Sequence, residues 1–285
     1  MNSITLQSPA KLNLYLKVLN KRVDGFHNIE TLFERINLFD DICFKSNASG
    51  KIKITCNHPH VPIGPKNLVY KVAQLFQQEC GVTQGVDVCI NKRIPVAAGL
   101  AGGSSNAATA LKGLNKVWKL NLSQKQLLAY AARLGSDISF FLHDASWAVG
   151  QGRGEQIEKV DIKTSLWHVI VVPKIKMYSW KVYGGLNLKL TKKNEGVNIL
   201  FRYLRKGNFL EVGRRLTNDL ESEIIRISPN LLKLKQKLSD FNICGTLISG
   251  SGPSVFGITQ TQKQAEEIKI VLDKRFSQVY VVKTL

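Results

Sequence analysis

A loop of small residues joins a predicted strand to a predicted helix, and it reads Ile94-Pro-Val-Ala-Ala-Gly-Leu-Ala-Gly-Gly-Ser-Ser-Asn-Ala-Ala108. Gly99, Gly102 and Gly103 allow a tight turn and a close approach to a ligand, because glycine has no Cβ. A helix that starts near Ser104 would present unpaired N–H groups and the positive end of its dipole to the loop. Such a helix start binds phosphate, and the two serine hydroxyls could reach phosphate oxygens or a magnesium ion.

Three better-known phosphate or nucleotide signatures are missing from this loop and from the rest of the chain. The glycines are not followed by Gly-Lys-Ser/Thr, which excludes a Walker A loop, and their spacing is wrong for a Rossmann fingerprint. The His-Arg-Asp and Asp-Phe-Gly signatures of protein kinases are also missing. The loop therefore indicates a phosphate site of another kind.

Two further motifs stand on either side of this loop. Near the N-terminus the chain reads Ser8-Pro-Ala-Lys-Leu-Asn-Leu-Tyr-Leu16, and near the C-terminus Gly245-Thr-Leu-Ile-Ser-Gly-Ser-Gly-Pro-Ser-Val-Phe-Gly257. Together with Pro95-x-x-x-Gly-Leu-x-Gly-Gly-Ser-Ser105 they resemble, in order, the three motifs of the GHMP kinases (the galacto-, homoserine, mevalonate and phosphomevalonate kinases). This resemblance implies a small-molecule kinase that uses ATP, with an N-terminal ATP- and phosphate-binding domain and a C-terminal α/β domain.

The remaining sequence mixes strand and helix patterns, which argues for an α+β protein with two lobes. We place the domains at residues 1–160 and 161–285. Ser123 is a good N-cap for a helix that runs to about Leu134. Other helices are predicted at Asn67–Gln78, from near Ser104, and at Asn194–Arg205, Asn230–Leu238 and Gln262–Phe276; strands are predicted at Ile4–Gln7, Leu12–Val18, Thr31–Leu38, Val86–Ile94, Trp167–Val172, Gly245–Ile248, Ser254–Ile258 and Val279–Val282.

A narrower resemblance covers nearly the whole chain. Arg22-Val-Asp-Gly-Phe-His-Asn-Ile-Glu-Thr-Leu-Phe33 and Gly135-Ser-Asp-Ile-Ser-Phe-Phe-Leu142 are similar to the GHMP kinases of the non-mevalonate route to isoprenoid precursors. The resemblance implies phosphorylation of the 2-hydroxyl of a cytidine-diphosphate-linked sugar alcohol, giving the 2-phosphate and ADP. Another GHMP kinase, such as a homoserine or mevalonate kinase, is the alternative, because the phosphate loop is shared.

Four positions depart from the pattern of these kinases. Ala101 and Asn106 stand where Gly and Asp are common, Phe26 where Tyr is common, and Ser139 where Pro is common. Ala101 would modestly stiffen the phosphate loop, and Phe26 loses a hydroxyl but keeps a ring face. None of the four changes removes a group that the chemistry requires.

The resemblance implies two catalytic residues. Asp137 would be the base, since phosphoryl transfer has a loose transition state and a carboxylate can take the hydroxyl proton late. Lys11 would keep Asp137 ionised and stabilise charge passing between the alcohol oxygen and the γ-phosphate. A strand places Lys11 on the same face as Asn13 and Tyr15. Without the resemblance, Asp137 could equally be a helix cap and Lys11 a solvated surface lysine.

The resemblance also implies binding residues. Phe26 would stack on the cytosine, His27 would bond its polar edge, Tyr183 would be the second stacking ring and Asn13 would contact the erythritol side. Asn67 is expected to line the adenine pocket. Magnesium would arrive with ATP, Ser105 is a candidate ligand, and no carboxylate is dedicated to the metal. The predicted ATP-binding loop comprises Pro95, Val96, Ala97, Ala98, Gly99, Leu100, Ala101, Gly102, Gly103, Ser104 and Ser105.

Composition narrows the class of protein further. The five cysteines show no CxxC pair, which favours reduced thiols. The N-terminus does not resemble a signal peptide, and no run of about 18 apolar residues occurs, so we expect a cytoplasmic protein with no membrane partner. The net charge of +19 is spread along the chain, with +8 in residues 1–160 and +11 in residues 161–285. It favours lysines on solvated faces over a nucleic-acid site. The alternative from a second functional class is a non-catalytic nucleic-acid or phosphate-binding protein. We expect the chain to be a monomer or a weak homodimer.

Overall fold

A computed structural model describes residues 2–187 and 196–285, and it contains two compact units. The first comprises Met1–Ala10, Leu38–Val96 and Ala101–Asp144, and the second Lys11–Asn37, Ala97–Leu100 and Ala145–Leu285. Each unit is built from several stretches of chain. They therefore do not test a single boundary between residues 160 and 161, which stays a prediction.

The first unit packs helices with a sheet. Strand β4 (Gly85–Asn91) runs parallel to β3 (Ile52–Cys56) and antiparallel to the second part of β2 (His27–Asn47), with Asp41 opposite Asn91. The helices of this unit are α1 (Leu68–Glu79), α2 (Gly102–Val117), α3 (Gln124–Leu134) and α4 (Ile138–Leu142). Helix α2 contacts the other three.

Helix α2, which leaves the phosphate loop, is buried along its length. Five apolar residues that recur with helical spacing along α2 are all buried. Gly113 lets the helix approach Phe44, since a Cβ at this glycine would lie 2.6 Å from the phenyl ring. The buried face of α2 thereby fixes the start of the helix, where the loop ends, in the core of this unit. The five residues are Ala107, Ala108, Leu111, Leu114 and Val117.

Helix α3 begins as the sequence predicts. The Ser123 hydroxyl accepts a hydrogen bond from the Gln126 amide, and the Gln126 side chain accepts one from the Ser123 amide at 2.9 Å. This capping box satisfies two N–H groups that a helix start otherwise leaves unpaired. The predicted N-cap is confirmed.

The second unit contains the first part of β2 and the second part of β1 (Ser3–Lys21). Strand β2 pairs antiparallel with β5 (Trp147–Gln151), which pairs with β6 (Gln156–Lys159). Strand β8 (Thr217–Asn218) runs parallel to β1. A separate antiparallel sheet is formed by β7 (Trp167–Val171), β9 (Gly245–Ile248), β10 (Val255–Thr259) and β11 (Val279–Lys283), in the order β11-β7-β10-β9. The helices of this unit are α5 (Ser179–Gly185), α6 (Asn198–Arg205), α7 (Phe209–Arg214), α8 (Glu221–Ile227), α9 (Asn230–Ser239) and α10 (Gln262–Asp273).

The α+β class is confirmed, while several boundaries differ from those predicted. The strands predicted at Ile4–Gln7 and Leu12–Val18 are one strand, Ser3–Lys21, because polar residues and Pro9 interrupt the apolar pattern without ending the strand. The helix predicted from Asn194 begins at Asn198, and residues 194–195 lie outside the described residues. Short elements with weak periodicity were missed, namely β3, β5, β6, β8, α4, α5, α7 and α8.

Candidate active site

In the second unit, part of the phosphate loop packs against the C-terminal glycine/serine turn. The Ser249 hydroxyl donates a hydrogen bond to the Gly99 carbonyl at 3.0 Å, and the Ser254 amide donates to the Ala98 carbonyl at 3.3 Å. Gly99 has φ +75°, and a Cβ there would lie 2.2 Å from the Ser249 carbonyl oxygen. Two motifs that lie 150 residues apart in the sequence are therefore joined through a position that only glycine fits.

A substitution in the loop tests this close approach. We expect Gly99→Ala to lower the free energy of unfolding by about 2 kcal/mol, because alanine must adopt a left-handed backbone and displace the Ser249 carbonyl. Gly103→Ala is the matched control, since no heavy atom lies within 4 Å of the Cβ it would carry and its φ is not left-handed. Equilibrium unfolding in urea compares the two variants. Equal midpoints would contradict the close approach.

The first motif supplies a buried polar cluster in the same unit. The Lys11 ammonium donates to the Asn13 side-chain oxygen, and the Asn13 amide nitrogen donates to the Thr31 hydroxyl at 2.7 Å. The Thr31 hydroxyl donates in turn to the Tyr15 carbonyl at 2.7 Å. Lys11 Nζ also lies 5.7 Å from the centroid of the Phe33 ring. A lysine that is 4% exposed is thus stabilised by an acceptor and a ring face rather than by water.

The third motif packs directly on this cluster. A Cβ on Gly250, where φ is +53°, would lie 3.0 Å from Asn13 Oδ1 and 3.3 Å from Lys11 Nζ. The Lys11 amide donates to the Leu100 carbonyl of the phosphate loop at 3.2 Å. Asn218 holds the turn, because its side-chain nitrogen donates to the Gly250 carbonyl at 2.7 Å. The shared face of Lys11 and Asn13 is confirmed, whereas contact of Asn13 with the erythritol side stays a prediction.

In the first unit, one carboxylate ties the entry of the phosphate loop to its helix. Asp40 is fully buried and accepts from the amides of Arg93 and Ile94 at 2.7 and 2.8 Å. It also accepts from Lys92 Nζ at 2.5 Å and from the side-chain nitrogen of Asn106 at 2.8 Å. Four donors converge on this group, so the backbone at the strand end and the first turn of α2 share one anchor.

Lys92 lies under the loop as the charged partner of this anchor. Its side chain is 5% exposed. Burial lowers the pKa of Lys92 and the charge of Asp40 acts in the opposite direction. A Cβ on Gly102 would lie 2.8 Å from Lys92 Nζ, so the loop backbone touches the ammonium. Neither Lys92 nor Asp40 was found from the sequence, because a single lysine and a single aspartate outside any motif carry no signal.

The start of α2 has an unusual backbone. Ala101 is its N-cap residue, with φ +54°, and no side chain caps the helix. Ala97 has the same φ, so two alanines in this loop adopt a conformation that costs a residue with a Cβ about 1–2 kcal/mol. Ser104 is half-buried. Ser105 is fully buried and its hydroxyl accepts from Ser8 at 2.7 Å, so its proposed role toward magnesium stays a prediction.

Asn67 has a local structural role. Its side-chain oxygen accepts from the Val69 amide at 2.8 Å and caps α1, while its nitrogen donates to the Pro62 carbonyl at 2.6 Å. Both polar ends of the amide are therefore used locally, one in the first turn of α1 and one in the loop that precedes it. Its place at the adenine pocket stays a prediction.

Two of the predicted substrate residues contact each other in the second unit. His27 stacks on Tyr183 with ring centroids 5.4 Å apart and an interplanar angle of 28°. Burial lowers the pKa of His27, and the charge of Lys21 lowers it further, which favours the neutral imidazole. The ring of Phe26 is 53% exposed and carries the Arg153 guanidinium 5.1 Å from its centroid. Arg153 lies outside the sequence motifs, so this contact was missed.

Asp137 occupies the N-cap position of α4 in the first unit. It is partly buried, and its side chain makes no capping hydrogen bond. The simplest structural explanation of an aspartate after Gly-Ser, a carboxylate that caps a helix, therefore does not apply here. Its role as the base stays a prediction.

The described part of the chain lacks two kinds of feature. Within residues 2–187 and 196–285, no three His, Cys, Asp or Glu side chains are grouped so that they could hold a metal ion. Over the same residues, no helix has the length and apolar character needed to cross a membrane.

Similarity to known proteins shows the family to which the chain belongs. Models of the GHMP kinases match the chain twice, the N-terminal domain at residues 67–145 and the C-terminal domain at residues 200–278. Two proteins named 4-diphosphocytidyl-2-C-methyl-D-erythritol kinase, from Alkaliphilus oremlandii and Bacillus anthracis, are each 37% identical to it. The matches cover 100% and 99% of this chain and 97% of each relative. The chain belongs to the 4-diphosphocytidyl-2-C-methyl-D-erythritol kinase family.

Solved structures agree with membership of this kinase family. A crystal structure of 4-(cytidine 5'-diphospho)-2C-methyl-D-erythritol kinase matches with a TM-score of 0.85 and 28% identity, over 98% of both chains. Homoserine kinase from Cytophaga hutchinsonii matches with a TM-score of 0.75 at 18% identity, over 100% of this chain and 95% of that one, which shows the fold alone. The predicted GHMP kinase fold is confirmed, and the chain is a small-molecule kinase that uses ATP.

Proposed function

We infer that this kinase transfers the γ-phosphoryl group of ATP to the 2-hydroxyl of 4-diphosphocytidyl-2-C-methyl-D-erythritol. The products are the 2-phosphate and ADP, in the non-mevalonate route to isopentenyl diphosphate. The observation that carries this inference is the buried Lys11–Asn13 pair, against which Gly250 of the third motif packs. Relatives of that name over the full length of the chain supply the substrate.

The phosphate loop and its helix bind ATP, which brings Mg²⁺ as part of the substrate. Pro95–Ser105 wraps the phosphates, and the uncapped N–H groups at the start of α2 bind their oxygens. The magnesium ion neutralises phosphate charge when bound. The Asp40 anchor keeps the strand end and the helix start in fixed relation, so the loop is ordered before ATP binds.

The transfer step needs a base and a cation. The oxygen of the 2-hydroxyl forms a bond to the γ-phosphorus, the bond from that phosphorus to the β-phosphate oxygen breaks, and ADP leaves with the electron pair. The hydroxyl proton passes to the Asp137 carboxylate. The Lys11 ammonium stabilises negative charge on the oxygens of the group in transit, which is strongest in a site shielded from water.

The cytidine end of the substrate binds to the aromatic side chains. Phe26 stacks on the cytosine with its exposed face, a contact worth roughly 1–3 kcal/mol for base–aromatic pairs. His27, held against Tyr183, hydrogen-bonds the polar edge of the base as a neutral imidazole. Asn13 lies toward the erythritol and Asn67 toward the adenine.

Substrate affinity should depend on pH through His27. Its folded-state pKa is lowered from 6.5, so the neutral form prevails above that pH and protonation follows as the pH falls. We expect the KM for the cytidylyl substrate to rise by up to about tenfold for each pH unit below the pKa of His27, while the KM for ATP does not follow. In His27→Gln the KM should be independent of pH between 7.5 and 5.5. Retention of the same pH dependence in that variant would contradict the role.

The first test of the function is ADP release by the purified protein with Mg-ATP. The substrates compared are 4-diphosphocytidyl-2-C-methyl-D-erythritol, homoserine, mevalonate and galactose. We expect release with the cytidylyl substrate alone. ADP release with another alcohol would keep the phosphoryl-transfer chemistry but contradict the proposed substrate. If a folded protein that binds ATP released no ADP with any of the four substrates, the proposed function would be wrong.

Cellular location, oligomeric state and partners complete the proposed function. We place it in the cytoplasm, as a monomer or weak homodimer, without a nucleic-acid partner. Steep salt-dependent binding of RNA without ADP production would favour the non-catalytic alternative.

A further inference from the structure

We propose that Thr31 is a positioning residue of the phosphoryl-transfer site. Its hydroxyl sets the direction of a hydrogen-bond chain that ends on the Lys11 ammonium. The chain runs from the Tyr15 carbonyl through Thr31 and Asn13 to Lys11, all within the second unit.

The direction of this chain follows from the chemistry of its members. The Tyr15 carbonyl only accepts, so the single proton of the Thr31 hydroxyl points toward it at 2.7 Å. Only lone pairs of that hydroxyl then face Asn13, which must present its NH₂ group, also at 2.7 Å. The oxygen of the same amide is left for the Lys11 ammonium, which can only donate.

The opposite orientation of the Asn13 amide is unfavourable at both ends. Its NH₂ group would meet the ammonium of Lys11, and its oxygen would meet the lone pairs of Thr31. Thr31 is fully buried and Asn13 is 2% exposed, so water cannot replace a lost partner. Thr31 therefore selects one of two amide orientations and presents an acceptor to Lys11.

Backbone packing leaves little room for the pair to shift. The Cα of Gly250 closes one side, since a Cβ there would lie 3.0 Å from Asn13 Oδ1 and 3.3 Å from Lys11 Nζ. With that side closed, loss of the Thr31 hydroxyl leaves the Asn13 NH₂ group without its buried acceptor, so the amide is held less firmly in the orientation that presents its oxygen to Lys11. This inference rests on the proposed function, because it assigns the effect to the catalytic charge of Lys11.

The test uses the full chain and compares Thr31→Val with Thr31→Ser. Valine has nearly the shape of threonine without the lone pairs, whereas serine keeps the hydroxyl. We expect kcat to fall about tenfold in Thr31→Val. The loss is smaller than that expected on removing the Lys11 ammonium, because the ammonium is still present and only its position is disturbed. Thr31→Ser should stay within about twofold of the wild type, and the KM for ATP should change less than twofold in either variant. Thr31→Ala carries the same test if the valine variant does not fold.

A double mutant separates positioning from a general structural effect. If Thr31 acts through Asn13, Thr31→Val should not lower kcat further in an Asn13→Ala background. A structural role would add its full effect in that background. Thr259→Val is the matched control, since Thr259 is also fully buried and its hydroxyl donates to the Trp167 carbonyl at 3.3 Å in the other sheet.

The outcomes are distinguishable from failure of the proposed function. A wild-type protein that releases no ADP with the cytidylyl substrate overturns the function itself. An active wild type overturns this inference if Thr31→Val retains wild-type kcat, if Thr259→Val loses as much, or if the effects of Thr31→Val and Asn13→Ala add.

Discussion

In the Asp137→Asn variant, turnover of the cytidylyl substrate falls by about two orders of magnitude or more, as when a general acid–base group is lost. Asparagine has the shape of aspartate but cannot take the proton of the 2-hydroxyl. Because Asp137 makes no capping hydrogen bond in α4, the substitution removes no helix cap. Steady-state ADP release with saturating Mg-ATP measures the loss, and urea unfolding checks the fold.

A second carboxylate provides the control for this experiment. Asp144 is exposed and lies seven positions further along the chain, outside every residue assigned to the site. Asp144→Asn should keep wild-type turnover. A folded Asp137→Asn enzyme with near-normal kcat would remove Asp137 from the mechanism and leave electrostatic stabilisation by Lys11 as the main contribution of the protein.

Lys11→Met should also lower kcat by about two orders of magnitude or more, because the charge that stabilises the group in transit is lost. Methionine keeps the unbranched apolar stem of lysine as far as Cε, so it removes the ammonium with little loss of buried volume. The substitution leaves Asn13 Oδ1 without its donor, which adds a modest loss of stability. KM for both substrates should change far less than kcat, since the interaction strengthens in the transition state.

A lysine on the same strand is the control for the charge. Lys17 lies on β1 and is partly buried, and Lys17→Met should retain wild-type kcat. Lys11→Arg keeps the positive charge but puts a larger, planar guanidinium in place of the compact ammonium. This variant therefore separates the effect of charge from that of shape. Equal activity of Lys11→Met and wild type would exclude the catalytic role of Lys11.

Several local features could be predicted because their causes lie within a few residues. The capping box of Ser123 and Gln126 depends on residues three positions apart. The buried face of α2 follows from helical periodicity alone. The glycines of the phosphate loop were recognised as positions of close approach, and Gly99 is one that no other residue could fill.

The supports of the site could not be predicted, because each joins residues that are remote in sequence. Asp40 and Asn106 are 66 positions apart, and Asn13 and Thr31 are 18 apart. Asn218 reaches the third motif from a short strand of two residues. Each is a single polar residue whose role depends on which strand lies beside it, and no local pattern records that neighbour.

The sequence by itself determined the family and the class of chemistry, because the motifs that carry them are contiguous in the chain, and the same motifs name the residues that we expect to touch the reaction. The tertiary structure decided how those residues are held. It buried Lys11 against Asn13 and Phe33, and it turned the hydroxyl of Ser105 toward Ser8 in the interior. Orientation of this kind depends on long-range strand pairing and on which buried polar groups find partners, and both are properties of the folded chain.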